Sequence, residues 1–297
     1  MLVRVKAFGI NRAEQYFRMG LWGDVPAISG IECVGEVVDD SSGALMPGQR
    51  VMALMGGMGR TRDGSYAQYV SVPARNVVPI RTTLDWATLA ALPESYATAW
   101  SCLHDNIGIR RGETLLVRGS TSALGQAALD LAAQSGVHVI ATVRHAHRAQ
   151  LATDKGAKWT VVEGDSLHAA VRDIAPAGVD AVLDLVGTST VLESMQLARR
   201  GGRICLAGFL GGARPLAELD PLRHMPSGRH LSFFGSAFVY GTPEYPLTDI
   251  PFQGMVDLAQ VGRLKARAVR EFAFEEIREV HRLLDTEAAG GKMVVVL

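Results

Sequence analysis

Residues 113–143 constrain the fold more than any other stretch, because they read strand, tight turn, helix, strand. Leu115-Leu116-Val117 is a short, wholly apolar run, as a parallel strand covered on both faces requires. It ends at Gly119, where backbone can approach a ligand closely. From Ala123 the spacing becomes helical, with Leu124, Ala127, Ala128, Leu131 and Ala132 on one face. This predicts the opening βαβ unit of a dinucleotide-binding domain. The first helical turn would offer its unpaired N–H groups and positive dipole end to a pyrophosphate.

The G-x-G-x-x-G fingerprint of such turns is incomplete, since Gly119 and Gly125 flank Ser122. A glycine turn of this kind also serves simply as a turn. The second strand, His138 to Val143, supplies a further clue. A site for the unphosphorylated dinucleotide presents an acid about 20 residues after the glycines, yet no acid stands between Asp130 and Asp154. The strand runs instead into Arg144-His145-Ala146-His147-Arg148. Guanidinium groups hold phosphate oxygens in a bidentate fork, so Arg144 and Arg148 point to a 2′-phosphate and to NADPH over NADH. The same residues would also suit a solvated basic helix start.

A chain of 297 residues suits two domains of ordinary size. Lys plus Arg and Asp plus Glu both total 30, which argues against a general affinity for nucleic acid or anionic membrane. Cys33, Cys102 and Cys205 are far apart and form no CxxC pair. They suggest neither a disulfide framework nor a cysteine zinc site, and a cytoplasmic location is expected. No apolar run reaches the roughly 18 residues of a membrane span.

Along the chain, Met1 to Ile10 alternates as a strand, and Asn11 can cap a short helix through Tyr16 to Met19. Further strands are expected at Gly35 to Val38, Gln49 to Leu54 and Tyr66 to Val72. Leu84 to Leu103 reads as a helix interrupted by Pro93. Strands near 115, 138, 159, 181, 203 and 231 then alternate with helices near 123, 146, 166 and 190. The fold class is therefore α/β, a doubly wound parallel sheet of Rossmann type with a second, smaller β-rich domain. Residues 96–240 would form the dinucleotide-binding domain, and 1–95 plus 241–297 the β-rich one, leaving a ligand cleft between them.

Several phrases in this order resemble one family. They are Val5-Lys6-Ala7-Phe8-Gly9-Ile10-Asn11-Arg12-Ala13-Glu14, Gly30-Ile31-Glu32-Cys33-Val34-Gly35-Glu36-Val37, Gly64-Ser65-Tyr66-Ala67-Gln68-Tyr69-Val70, Leu92-Pro93 with Thr98-Ala99-Trp100, the Gly119 to Gln126 turn and Gly291-Lys292-Met293-Val294. Together they resemble the zinc-independent medium-chain dehydrogenase/reductase family, in its NADPH:quinone oxidoreductase branch. The resemblance implies that the β-rich domain is GroES-like and lacks the outer strands that usually precede the position of Val3. Zinc-dependent relatives place a Cys near the position of Asn11-Arg12, a His at that of Ile31 and a third ligand at that of Glu94. Without imidazole or thiolate there, a Lewis-acid mechanism has nothing to hold its metal.

The resemblance also implies contacts. Asn11 would sit by the nicotinamide amide or ribose, as a residue of the catalytic site. Thr98 would lie near the nicotinamide ribose and phosphate. Gly119, Ser120, Thr121 and Ser122 would form the phosphate turn, with Ala123 and Leu124 offering backbone N–H. Leu185 and Val186, then Gly208, Phe209 and Leu210, would line the cofactor edge. Phe234, Gly235 and Ser236 would meet the carboxamide, and Lys292 would return to the cleft. Tyr16 and Trp22 match two aromatic positions of the quinone pocket, though aromatics there also serve as ordinary packing. Tyr16 is the nearest candidate proton donor, with water as the alternative.

The expected activity is NADPH-dependent, metal-free hydride transfer to a quinone or an α,β-unsaturated carbonyl compound. Two alternatives stay open: a 2-enoyl-thioester reductase, and a cofactor-binding sensor or scaffold with little turnover. The expected partner is a small quinone or enone, with no nucleic acid or membrane, and the resemblance implies a homodimer.

Overall fold

Val3 and Val5 turn inward from the first strand while Arg4 faces solvent, the alternation of a sheet with one wet face, and a register shift after Val5 brings Phe8 to the same core. The protein is described here by a computed structural model covering residues 1–286 and 288–297. Residues 1–97 with 236–297 gather into one unit and 98–235 into another. Strands β1 (Leu2–Gly9), β2 (Glu32–Asp39), β3 (Arg50–Leu54), β4 (Tyr69–Ser71) and β5 (Val77–Pro79) open the chain. The second unit holds β6 (Thr114–Arg118), β7 (His138–Val143), β8 (Trp159–Val162), β9 (Val179–Asp184), β10 (Ala198–Leu206) and β11 (His230–Phe233). Strands β12 (Arg270–Ala273) and β13 (Met293–Val296) return to the first unit.

In the first unit the sheet runs β12-β13-β1-β2-β3-β5, with β4 paired to β1. All its pairings are antiparallel except β12 with β13. Its core gathers Val3, Val5, Phe8, Cys33, Val51, Met58 and Val295 with Val280 and Leu283 of helix Ile277–Asp285. The Tyr66 to Val72 strand forms only over Tyr69–Ser71, because Tyr66 turns aside to stack on Phe8, ring centroids 4.6 Å apart. The helical stretch is interrupted at Pro93 as expected: one helix covers Trp86–Ala90, and Pro93 starts the next, Pro93–Trp100, at the position where its missing N–H costs nothing.

The second unit is one parallel sheet in the order β11-β10-β9-β6-β7-β8. This is the doubly wound order, whose reversal lies beside β6. Leu115, Leu116 and Val117 are fully buried, and Leu116 packs with Ile140, Val182 and Ile204. Helix Ala123–Gln134 is buried continuously from Gly125 to Ala132, more than one apolar face requires. No helix among the described residues is long and apolar enough to cross a membrane.

Two helical glycines carry a direct test of this packing. A Cβ on Gly125 would lie 2.5 Å from the Gly119 carbonyl oxygen, whereas one on Gly254, in helix Phe252–Gln260, meets nothing nearer than 4.0 Å. Gly125→Ala is expected to destabilise by roughly 1–3 kcal/mol through overpacking against backbone. Gly254→Ala is expected to be neutral or stabilising by up to about 1 kcal/mol. Thermal unfolding of the two variants, compared with the parent, checks the contrast.

Candidate active site

In the second unit the C-terminal ends of β6, β9 and β10 are laced by backbone. The Leu185 N–H donates to the Arg118 carbonyl (3.2 Å), Leu210 to Leu185 (3.1 Å) and Gly211 to Val186 (2.7 Å). The turn after β6 is equally tight, since Gly119 has φ +77 and a side chain there would meet Leu210 at 2.8 Å. Ser122, standing where a glycine is usual, caps the helix. Its Oγ accepts from the Gly125 N–H (3.0 Å) and donates to the Gly119 carbonyl (2.9 Å). The amides of Ala123 and Leu124 fall at the first two helical positions, where no intrahelical acceptor exists. Both residues are half-buried, so these donors remain reachable. A phosphate group fits this cradle: small residues, two unspent amides and a helix N-terminus.

The remaining residues of this edge divide by where their polar groups go. Ser120 is buried and its hydroxyl donates to the Thr142 carbonyl (2.6 Å), so it ties the turn to β7. Arg144, His145 and His147 are exposed just beyond β7, with the two imidazoles stacked at 5.5 Å. Arg148 is half-buried in the 3-10 turn Ala146–Arg148. Phe234 is buried after β11, its N–H bonded to the Leu206 carbonyl (2.9 Å), and Phe209 tilts against Phe233 at 6.1 Å. Gly235 closes this unit and Ser236 opens the returning segment of the first. Thr98 is buried within helix Pro93–Trp100.

Two charged residues that hold this edge carry no motif. Arg118, at the end of β6, is 1% exposed and holds Glu163 by two bonds, with Glu193 at 2.8 Å. Asp184, at the end of β9, accepts from the Val186 and Gly187 amides (2.9 and 3.0 Å) and from the hydroxyls of Thr190 and Ser194. It fixes the turn bearing Leu185 and Val186. A charge closing an apolar strand is the only sequence signal either residue gives.

The first unit brings Asn11 and Lys292 together around a residue that sequence reasoning did not select, Glu32. The Lys292 ammonium donates to the Asn11 Oδ1 (2.6 Å) and to the Glu32 Oε1 (2.5 Å), while the Asn11 Nδ2 donates to that same Oε1 (2.8 Å). The other carboxylate oxygen accepts from the Glu94 N–H (2.6 Å) in the first turn of helix Pro93–Trp100, where the dipole favours an anion. Lysine only donates and carboxylate only accepts, so the orientation of the Asn11 amide is determined. One N–H and one lone pair of that amide are left. Asn11 is the N-cap residue of helix Arg12–Arg18, as expected, with its backbone N–H donating to the Glu14 carboxyl (2.7 Å), while its side-chain amide turns to Glu32.

Glu14 is 1% exposed, and its other oxygen accepts from the Ile31 N–H (3.2 Å). Burial, reinforced by neighbouring Glu32, pushes its carboxyl up to about 8. Tyr16 is half-buried, and burial raises its phenol above the ordinary value, against the opposing charge of Arg12. Trp22 lies past helix Arg12–Arg18 with the Arg60 guanidinium 4.7 Å from its ring centre. No group of three His, Cys, Asp or Glu residues that could hold a metal occurs among the described residues.

The alcohol dehydrogenase GroES-like domain model matches residues 1–82, and the zinc-binding dehydrogenase model matches 123–261. The human quinone oxidoreductase is 25% identical over all of this chain and 89% of its own. A probable quinone oxidoreductase of Schizosaccharomyces pombe is 27% identical over 97% of this chain and 86% of its own. Among solved structures, Escherichia coli quinone oxidoreductase complexed with NADPH is similar at a TM-score of 0.86, with 23% identity, covering all of this chain and 91% of that one. That structure shares the fold.

Glu14 makes stability depend on pH in a definite direction. Between the usual carboxyl value of 4.5 and about 8, the folded chain keeps a proton that the unfolded chain has released. Stability is therefore expected to fall as pH rises through that window and to level off above it. Glu14→Gln, which loses one acceptor, is expected to cost about 1–3 kcal/mol at the acid end. Its deficit should shrink toward alkaline pH, because the variant has no carboxyl to ionise. Thermal unfolding of both proteins across the window checks this, and parallel profiles would contradict it.

Proposed function

Because the chain belongs to the medium-chain dehydrogenase/reductase family, we propose that it is an NADPH-dependent, metal-free reductase of quinones or α,β-unsaturated carbonyl compounds. The observation that carries this reading is the strand-end cradle of the second unit, with arginines rather than an acid following the neighbouring strand. The quinone oxidoreductase relatives and the NADPH complex of the E. coli protein support the same reading.

When bound, the nicotinamide supplies a hydride. The chain's own residues bind and orient. The Ala123 and Leu124 amides hold the pyrophosphate, and Arg144 and Arg148 hold the 2′-phosphate. Leu185, Val186, Gly208, Phe209 and Leu210 exclude water along the edge. The remaining N–H of the Asn11 amide, fixed by Glu32 and Lys292, would serve the nicotinamide amide or ribose as a donor, so Lys292 would act through Asn11. Tyr16 and Trp22 form the aromatic side of the acceptor site. The Tyr16 phenol, kept protonated by burial, donates the proton that a reduced acceptor needs, or water does.

A cytoplasmic homodimer completes the reading. Three buried free cysteines suit a reducing compartment. Strand β11 edges its sheet with Leu231 and Phe233 exposed, which suits pairing with a second copy.

The test is NADPH oxidation by the purified chain with phenanthrenequinone, a short enal and an enoyl-CoA, with metal content assayed on the same sample. Turnover of the quinone or enal by metal-free protein is expected, and turnover of the enoyl-CoA alone would favour a thioester reductase. Tight NADPH binding without turnover would favour a sensor. Arg144→Glu is expected to raise the KM for NADPH about tenfold or more, because it removes a charge-assisted phosphate contact. Activity with NADH should change little, and equal effects on both would defeat the phosphate assignment.

A further inference from the structure

Arg60 sits in the first unit with its guanidinium carbon 4.7 Å from the Trp22 ring centre and 4.5 Å from that of Phe238. Its backbone leaves little freedom. The Gly57 carbonyl accepts from the amides of Arg60, Thr61 and Arg62 (2.9–3.1 Å), and the Gly59 N–H returns to the Arg62 carbonyl (2.9 Å). Gly59 also lies against Gly30, where a Cβ would come within 3.1 Å of the Gly30 nitrogen, so the loop is braced on the segment leading to Glu32.

Other shielded arginines each donate to a protein oxygen, although the Nε of Arg50 and of Arg203 has no partner among the described residues. Arg50 stacks on Trp86 at 3.8 Å but donates to the carbonyls of Thr82 and Leu84. Arg118 holds two glutamates, and Arg199 and Arg203 hold Asp180 and Glu113. Arg60 is half-buried, yet among the described residues no carboxylate or carbonyl accepts from its side chain. Burial alone acts on it, lowering its pKa with no opposing anion. Aromatic rings packed against a guanidinium engage its charge through their π faces and leave its in-plane N–H groups, which are matched to a carboxylate fork.

We propose that Arg60 is a specificity-determining residue, selecting acceptors whose planar quinone or enone carries a carboxylate. This rests on the reading above, in which Trp22 flanks the acceptor. The carboxylate takes the two in-plane N–H bonds that the stack leaves open, while the apolar body of the acceptor lies along the aromatic side chains. A cation so placed is partly desolvated, and a neutral acceptor would leave it without an anion, which biases the site against neutral compounds.

The test compares paired acceptors in steady-state NADPH oxidation by the full chain: 1,4-naphthoquinone with its 2-carboxylate, and 3-penten-2-one with 4-oxo-2-pentenoate. The readout is the ratio of kcat/KM, anionic over neutral, in wild type and variant, so that intrinsic reactivity cancels. Arg60→Gln is expected to lower that ratio about tenfold or more, the usual effect of losing a charge-assisted hydrogen bond. Arg60→Lys, which keeps the charge without the fork, should fall between. An unchanged ratio overturns the proposal, as does an increase in the KM for NADPH shared by all acceptors. Calorimetric titration with 2-naphthoate reports on the site without turnover, so failure of the reductase reading and failure of this one are distinguishable. Wild type should bind 2-naphthoate about tenfold or more tighter than Arg60→Gln, and equal affinities overturn the proposal.

Discussion

The buried ion pair between Lys292 and Glu32 is the interaction on which the first unit depends. It joins the residue before β13 to the start of β2, gathers Asn11 from the end of β1, and takes the Glu94 amide of helix Pro93–Trp100. Four chain segments far apart in sequence thus meet at one carboxylate. Burying charges is costly unless every lone pair and proton is used, and here Glu32 accepts from an ammonium, an amide side chain and a backbone N–H. The neighbouring Glu14 shows the limit of this arrangement. One ammonium supports one carboxylate, and the second carboxyl, fully buried with backbone amides for partners, keeps its proton to about pH 8.

The functional consequence lies in the Asn11 amide. An amide side chain on a strand end is ordinarily free to flip. This one is gripped at both ends by groups of fixed donor and acceptor character, so its remaining N–H is presented in one orientation. In the second unit the corresponding work falls to backbone: the strand ends are laced together, Asp184 and Arg118 hold the turns, and two helical amides are left over. Precision comes from a side-chain network in one unit, and in the other from main chain that Asp184, Arg118 and Ser122 brace.

Where information is local, the sequence was easily read. The continuous apolar run at Leu115 to Val117 implies a doubly covered strand, and the period of helix Ala123–Gln134 places its start within a residue. Ser122 reads in sequence as a defect in a glycine motif, whereas in space it is a cap, because a serine at that position bonds the amide three residues on. Asn11 reads as a cap for the same local reason, yet its side-chain partners are Glu32 and a lysine 281 residues away, which no local pattern can indicate. Buried Arg118 defies the rule that arginines lie outside. Arg60 belongs to no motif, and its stack needs Phe238 from the far end of the chain.

The ion pair is tested most directly by a double-mutant cycle between Glu32→Gln and Lys292→Met, read by denaturant unfolding of the full chain. Each single substitution strands a buried group, at roughly 3–5 kcal/mol. The double variant is expected to cost less than the sum, with a coupling of at least about 2 kcal/mol. Additive losses would contradict the account, since they would mean that Asn11, Glu32 and Lys292 are neighbours without being an organising unit.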